Sequence, residues 1–391
     1  EVYWTVSHFS HYLLQDGDSA VSYKTTGGQV PFTNDLKVAL EAVKAGGTVT
    51  VHEDVAATEV NTTITGAVTI NGPGKIDITA ASGKTTKAFT ISNGGSLTLD
   101  GAKMTIKGTA ATDGSDYDGY GIDVQYGAAL ELKNQASLAF QGLNAATISS
   151  KSTGTVPGVF KINNSTLTAT EIEGNFSNGG TWEITNGSSV TIDGCDSHGL
   201  SADAVTVDGS TLSISNVGYR GISINGTNGV DGKLDIKNSA TVTVTNCGSD
   251  TRDPVYVTSA ANSSSLSVDS TSKLAVTGTY DTINIEGTTP KLDLDGQVTG
   301  SIKGIKAEYN STGYTSLDAA LTAANSGSGG TVTLVADDSL ITPIGADVTL
   351  VVPSSVTLTV ERTNLAALIG SAGKVQTCAL PISRAAPSSC R

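Results

Sequence analysis

Leu97-Thr98-Leu99-Asp100-Gly101, followed by Met104-Thr105-Ile106-Lys107-Gly108-Thr109, is the stretch from which the fold can be read. Two short strands alternate apolar and polar residues, an Asp-Gly turn separates them, and a Gly follows the second. Alternation with period two sends one face inward and the other outward. The same sentence then repeats. Leu130-Glu131-Leu132-Lys133-Asn134 precedes Leu138-Ala139-Phe140, Trp182-Glu183-Ile184-Thr185-Asn186 precedes Val190-Thr191-Ile192, and Leu234-Asp235-Ile236-Lys237-Asn238 precedes Val242-Thr243-Val244. After each second strand stands Gly or Asn with an apolar residue usually next: Gln141-Gly142-Leu143, Asp193-Gly194-Cys195, Ser215-Asn216-Val217, Thr245-Asn246-Cys247 and Thr277-Gly278-Thr279. Gly and Asn accept left-handed backbone angles cheaply. A corner that needs one of them once per repeat belongs to a chain that coils.

A third strand closes most coils, as in Gly121-Ile122-Asp123-Val124, Ala146-Thr147-Ile148, Gly221-Ile222-Ser223-Ile224, Pro254-Val255-Tyr256-Val257 and Thr282-Ile283-Asn284-Ile285. The expectation is an all-β parallel solenoid with three strands per coil. This pattern resembles the right-handed parallel β-helix of the pectin-lyase-like superfamily over residues 48 to 303. The resemblance implies a fold, and fold alone does not assign activity.

Composition suits stacked coils: 45 Gly, 5% aromatic residues and a single Met are low-bulk, turn-rich values. The net charge of −14 argues against nucleic acid or an anionic membrane as partner, since both require basic patches. No stretch is long and apolar enough to span a bilayer. The chain has no initiator Met and no signal peptide, so it reads as a fragment of a larger secreted or wall-attached protein.

Four segments follow. Residues 1–17, with the strand-like run Val6–Leu14, read as the remnant of a preceding β module. Residues 18–303 form the solenoid, entered through an amphipathic helix at about 33–46 whose apolar positions are Leu36, Ala39, Leu40 and Val43, with Thr33 and Asn34 as N-cap candidates. Residues 304–366 repeat that entry, with Leu317, Ala320, Leu321 and Ala324 on one face, Thr315 and Ser316 as N-cap candidates, and then Gly329-Gly330-Thr331-Val332-Thr333-Leu334. They announce a second, truncated solenoid. This helix-plus-strand motif resembles the start of β-helix domains in large, adhesin-like bacterial surface proteins, where the helix covers an open solenoid end. Residues 367–391 contain Val375-Gln376-Thr377-Cys378-Ala379-Leu380-Pro381-Ile382, which reads like an in-frame translation of a sequencing adapter and is set aside. Cys195 and Cys247 remain. They share one column two coils apart, with Val217 between them and Leu143 and Ile172 beneath. That spacing of roughly 9 to 10 Å is too wide for a disulfide and fits two buried small hydrophobes.

Chemistry gathers in the loops between the Gly/Asn corner and the third strand. In register these form one wall carrying Tyr117, Tyr120, Tyr126, Asp196, His198, Tyr219, Arg220, Asp250, Arg252, Asp253, Tyr256, Tyr280 and Asp281. Asp113, Asp116 and Asp118 offer oxygen ligands at a spacing a calcium loop uses, although an ordinary solvated turn has the same composition. No other cofactor is expected. Asp196-Ser197-His198-Gly199-Leu200-Ser201 looks like the His-Gly-Leu-Ser stretch of polygalacturonases, but that family's Asn-Thr-Asp element, Asp-Asp pair and Arg-Ile-Lys element are missing here.

Two readings are therefore carried forward. One is a non-enzymatic, extracellular or wall-attached segment acting as adhesin, stalk or glycan-binding surface. The other is a polysaccharide lyase or glycoside hydrolase using Asp196, His198, Arg220, Asp250 and Arg252.

Overall fold

A strand that ends in a left-handed corner turns away from its own line, and its backbone groups find partners only on the next coil. The computed structural model shows this stacking throughout. It describes residues 19–28, 30–80, 86–110, 117–148, 156–227, 230–259, 263–286, 290–310, 312–354, 356–360 and 374–377. The molecule is a parallel β-helix whose three walls are hydrogen-bonded along the coil axis. The first wall has twelve strands, the second ten, and the third comes in runs of four and five.

The register is strict. In the first wall Leu97 pairs with Leu130, Leu130 with Phe160, Phe160 with Trp182, Trp182 with Val205, Val205 with Leu234 and Leu234 with Leu266. Every one of these residues is buried, so the column is a continuous core. Between the two runs of the third wall, Asn175–Ser177 keeps the backbone ladder going without strand geometry: Thr147 N donates to Phe176 O at 2.8 Å and Phe176 N to His198 O at 2.9 Å. Phe176 fills the interior there. Its ring lies 5.6 Å from that of Trp182, which stacks on Phe160 at 4.2 Å and 6°.

The corners follow the expected chemistry with informative exceptions. Gly142, Gly194, Asn216 and Asn246 have φ of 56°, 76°, 55° and 53°. The corner between them in coil order is Glu171, also left-handed at φ 56°. Gly108 is not left-handed; a Cβ there would lie 1.8 Å from Gly142 O, so close backbone approach explains that glycine. At Gly194 a Cβ would have its nearest neighbour at 3.8 Å. Space is available, so Gly194→Val is expected to lose about 1–2 kcal/mol through backbone strain alone. A melting temperature unchanged from the parent would remove the conformational argument.

The solenoid opens through a hairpin, Val21–Thr25 with Phe32–Thr33, and helix α1, Leu36–Val43. Val21–Thr25 runs antiparallel to Gly47–Val51 of the first coil, a reversed strand that the solenoid pattern does not anticipate. The helix buries Leu36, Ala39, Leu40 and Val43 as expected, but its N-cap is Asp35, whose carboxylate accepts from Lys37 N and Val38 N. Thr33 and Asn34 serve the hairpin instead: Thr33 Oγ1 accepts from Asp35 N and Asn34 Oδ1 from Ala20 N.

The second unit repeats this arrangement. Ala307–Tyr309 pairs antiparallel with both Thr312–Tyr314 and Gly330–Leu334, and helix α2, Leu317–Ser326, is capped by Ser316. The unit has its own buried cluster. Lys374–Thr377, where the adapter-like segment begins, pairs parallel with Thr349–Val352. The run Val6–Leu14 lies outside the described residues.

Where the units meet, Gly313 N donates to Pro290 O at 2.9 Å. Burial, and then Asp293 and Asp295, raise the Glu308 carboxyl to about 7. The unfolded carboxyl titrates near 4.5, so the folded state loses stability as pH rises from 4.5 to 7, and the penalty is complete above 7. Discounted for solvent screening, Glu308→Gln is expected to gain about 1–2 kcal/mol at pH 8 and nothing near pH 4. Equal effects at both pH values in a denaturant titration would contradict this assignment.

Candidate functional site

The loop wall is one surface, but its residues divide into two groups along the coil axis. The first surrounds Tyr117. Thr109–Ala110 and Tyr117–Asp118 form a small antiparallel hairpin that folds over the Gly142 corner, where a Cβ on Gly142 would come within 2.8 Å of the Tyr117 ring. Tyr117 N donates to Glu173 Oε2 at 3.1 Å, its hydroxyl donates to Glu171 Oε2 at 3.5 Å, and Asn144 Nδ2 donates to Glu173 Oε2 at 3.4 Å. Tyr120 begins the third strand of the same coil, its register partners being Lys87 and Ala145. Asp118 is buried, and Asp113 and Asp116 lie outside the described residues. Among the described residues no three His, Cys, Asp or Glu side chains are grouped to hold a metal ion. Tyr126, placed on this wall by its sequence position, is in the core at 2% exposure. It stands just past the end of the third strand, Tyr120–Val124.

The second group is denser. The third-wall strands Leu200–Ala202, Ile222–Gly226, Val255–Ser259, Thr282–Ile285 and Ser301–Lys303 put Ser201, Ser223, Tyr256, Asn284 and Lys303 in one register column. Their neighbours Leu200, Ile222, Val255 and Ile283 are fully buried, so the column faces outward. Arg220, in the loop before Ile222, lays its guanidinium 3.8 Å from the centre of the Tyr256 ring. The Tyr256 hydroxyl donates to Glu286 Oε2 at 2.7 Å. Asn284 Nδ2 donates to Asp253 Oδ2 at 2.8 Å and to Glu286 Oε1 at 3.2 Å, while Lys303 Nζ stands 3.3 Å from Asp253. Farther out, the Tyr280 hydroxyl donates to Asp250.

His198 sits at the other edge of this group. Its backbone N–H donates to Asn175 Oδ1 at 3.1 Å, and Ser197 Oγ is 3.1 Å from its Nδ1. The Tyr219 ring meets it edge-on at 5.7 Å. Burial first, then the positive charges of Arg220 and Arg252, hold the His198 imidazole below its usual range. Tyr219 is 46% exposed, among the largest exposed apolar surfaces of the described residues. Asp196 is exposed at the corner, its N–H bonded to Ile172 O.

The sequence-predicted residues His198, Tyr219, Arg220, Asp250, Arg252 and Asp253 thus share one stretch of wall, while Tyr117 and Tyr120 belong to the other group. Glu171, Glu173, Asn284, Glu286 and Lys303 were not singled out from sequence. Asn284 and Lys303 follow from carrying the register column on to the final coils, Glu286 stands just past the end of the strand that carries Asn284, and Glu171 and Glu173 give no signal beyond their place after a corner. Beneath the wall, Cys195 and Cys247 occupy the column expected of them: Leu143 pairs with Ile172, Ile172 with Cys195, Cys195 with Val217 and Val217 with Cys247. Both thiols are free and buried, and burial pushes them up to about 12 and about 11, so they stay protonated.

No protein-family model, no curated protein and no solved structure matches this chain. Among the described residues no helix is long and apolar enough to cross a membrane.

Proposed function

We propose that this chain is a non-enzymatic segment of an extracellular or wall-attached bacterial protein, related to the pectin-lyase-like β-helices, that presents a saccharide-binding strip on its loop wall. The observation that carries this reading is the exposed Tyr219 face beside His198, next to the Arg220–Tyr256 stack and a row of amide, carboxylate and ammonium groups at coil spacing. Sugar rings pack their C–H faces on such aromatic platforms while side-chain amides and carboxylates take the hydroxyls. The rigid stack beneath keeps those groups in place before the ligand arrives. The repeated hairpin-and-helix entry supports a tandem arrangement in which solenoids space such strips apart.

Tyr219→Ala and Asp250→Ala are expected to weaken retention of the purified chain on immobilised polysaccharides while leaving the melting temperature in place. Unchanged retention in both variants removes this wall as the site. Incubation of the chain, with calcium present, across acidic and neutral polysaccharides is expected to leave polymer length unchanged. Shortening of any one polymer would replace this reading with a lyase or hydrolase acting through the same wall.

A further inference from the structure

The two hairpin-and-helix entries of the chain correspond residue by residue. Ser22 pairs with Phe32 and Thr50 as Glu308 pairs with Gly313 and Thr333. His52 N donates to Ala20 O at 2.8 Å, and Val335 N donates to Lys306 O at 2.9 Å. Leu36, Ala39, Leu40 and Val43 are the buried positions of α1, and Leu317, Ala320, Leu321 and Ala324 those of α2. Phe32 therefore corresponds to Gly313, His52 to Val335 and Val38 to Ala319. Ser19, two residues ahead of Val21, takes the place that Ile305 has ahead of Ala307.

In the second entry these positions seat the last coil of the first solenoid. Gly313 N reaches Pro290 O at 2.9 Å, and Val335 packs against the first core. A Cβ on Gly313 would lie 3.0 Å from Ile305 Cδ1 and 3.1 Å from Leu292 Cδ1. Ala319 lines the cleft between the units with Pro290, Lys303 and Ile305. In the first entry the same positions are larger. Phe32 stacks on His52 with ring centroids 6.2 Å apart, and Ser22 Oγ, 2.8 Å from His52 Nε2, holds the imidazole there. Val38 is 49% exposed and Val30, in the hairpin connection, 37%. This end of the solenoid therefore keeps open the apolar surface that its counterpart has covered. Bulk has also changed sides, since Gly313 goes with Ile305 whereas Phe32 goes with Ser19.

We infer that the face formed by Phe32, Val38 and His52 is a docking surface for the closing coil of another β-helix joined to it in cis. Phe32 selects a coil with small side chains where this chain's own last coil carries Leu292 and Ile305. Neither the saccharide strip nor its ligand enters this assignment. A stacked coil satisfies the edge and the apolar end that a solenoid otherwise exposes. A size exchange at one contact decides which coil fits which entry, so units marked in this way are joined in a fixed order.

Amide hydrogen exchange at single residues tests both parts. In the full chain, Gly313→Phe is expected to speed exchange of the residue-313 amide about tenfold or more. The Leu321 amide should stay slow, showing that the second unit remains folded. Adding Leu292→Ala and Ile305→Ser to Gly313→Phe is expected to restore the slow rate. A fusion of residues 1–304, carrying Leu292→Ala, to a second copy that begins at Ser19 offers the N-terminal face a matched coil. There the Phe32 amide of the second copy is expected to exchange about tenfold or more slowly than in the parent chain, and Val38→Asp in that copy to abolish the difference. A fusion of residues 1–305, with Leu292 kept, to a copy that begins at Ala20 offers an unmatched coil and is expected to give no slowing.

A Phe32 amide equally fast in the matched fusion and the parent overturns the docking surface. Equal slowing in the two fusions, or a residue-313 amide left slow by Gly313→Phe, overturns the selection by size. A Phe32 amide already slow in the parent and speeded there by Val38→Asp would mean that the chain's own first residues cover the face. Slowing of the parent that grows with protein concentration would make a second copy the occupant. Either of these results also overturns the assignment.

Discussion

Trp182→Ala is expected to destabilise the solenoid by about 3–5 kcal/mol. Among the described residues Trp182 is the largest fully buried side chain, and it pairs in register with Phe160, whose ring it covers at 4.2 Å. Phe176 closes the third side at 5.6 Å, in the coil where the third wall has no regular strand. Three rings from two adjacent coils therefore fill one section of the interior, and deleting the one that touches both others leaves a void that strict stacking cannot collapse. The indole Nε1 has no hydrogen-bond partner among the described residues, so Trp182 is there for its bulk. Trp182→Phe should consequently cost much less than the alanine change, about 1 kcal/mol, because it sheds an unsatisfied donor together with part of the volume. Denaturant midpoints of the two variants decide the matter: comparable losses would mean that the N–H, and not the volume, carries the effect.

Lys87→Met should cost about 3 kcal/mol or more. Asp123 is completely buried on the outer side of the third wall, and Lys87, one coil below, donates to its carboxylate while keeping part of its own chain in water. Without Lys87 the carboxylate keeps its burial and loses its countercharge, which is the expensive case. Adding Asp123→Asn to Lys87→Met is expected to recover most of the loss. Asp123 has partners besides Lys87, so full recovery is not expected. A single Lys87→Met variant within about 0.5 kcal/mol of the parent at pH 8 would show that the pair carries little.

These effects lie in the part of the molecule that the sequence describes best. Period-two strands and recurrent Asn/Gly corners are local signals, and coils that stack in register turn local signals into contacts. This is why the column running from Leu143 to Cys247 is readable from spacing alone. The reading weakens where a corner or strand departs from the rule. Glu171 adopts the left-handed angle with no compositional sign, because a stack on both sides holds a backbone that its own preference does not. Thr62–Ile64 and Lys87–Ile91 complete the third wall near its start, yet Glu59 and Ala80 stand where the repeating Gly or Asn corner would. Val21–Thr25 owes its place to pairing with Gly47–Val51, a long-range event that no window of sequence contains.

The wall shows the same division. Loop position brings His198, Tyr219, Arg220 and Arg252 together on the page as in the molecule. Which residues touch across coils depends on register, so Asn284, Glu286 and Lys303 emerge only from the stacked strands. Tyr126 shows the converse, an aromatic residue at a loop position that is nonetheless buried.

Coil length is not constant, and this affects how such a chain tolerates change. From Leu97 to its partner Leu130 the chain spends 130 − 97 = 33 residues, whereas from Phe160 to Trp182 it spends 182 − 160 = 22, yet both pairs stack in the same column. The surplus is carried in loops outside the stack. Inserting one residue within a wall strand would exchange inward and outward faces for the rest of that strand. Inserting ten at a loop displaces nothing. The heritable unit of this architecture is accordingly the whole coil or the loop, and a new wall can be written without altering the interior that supports it.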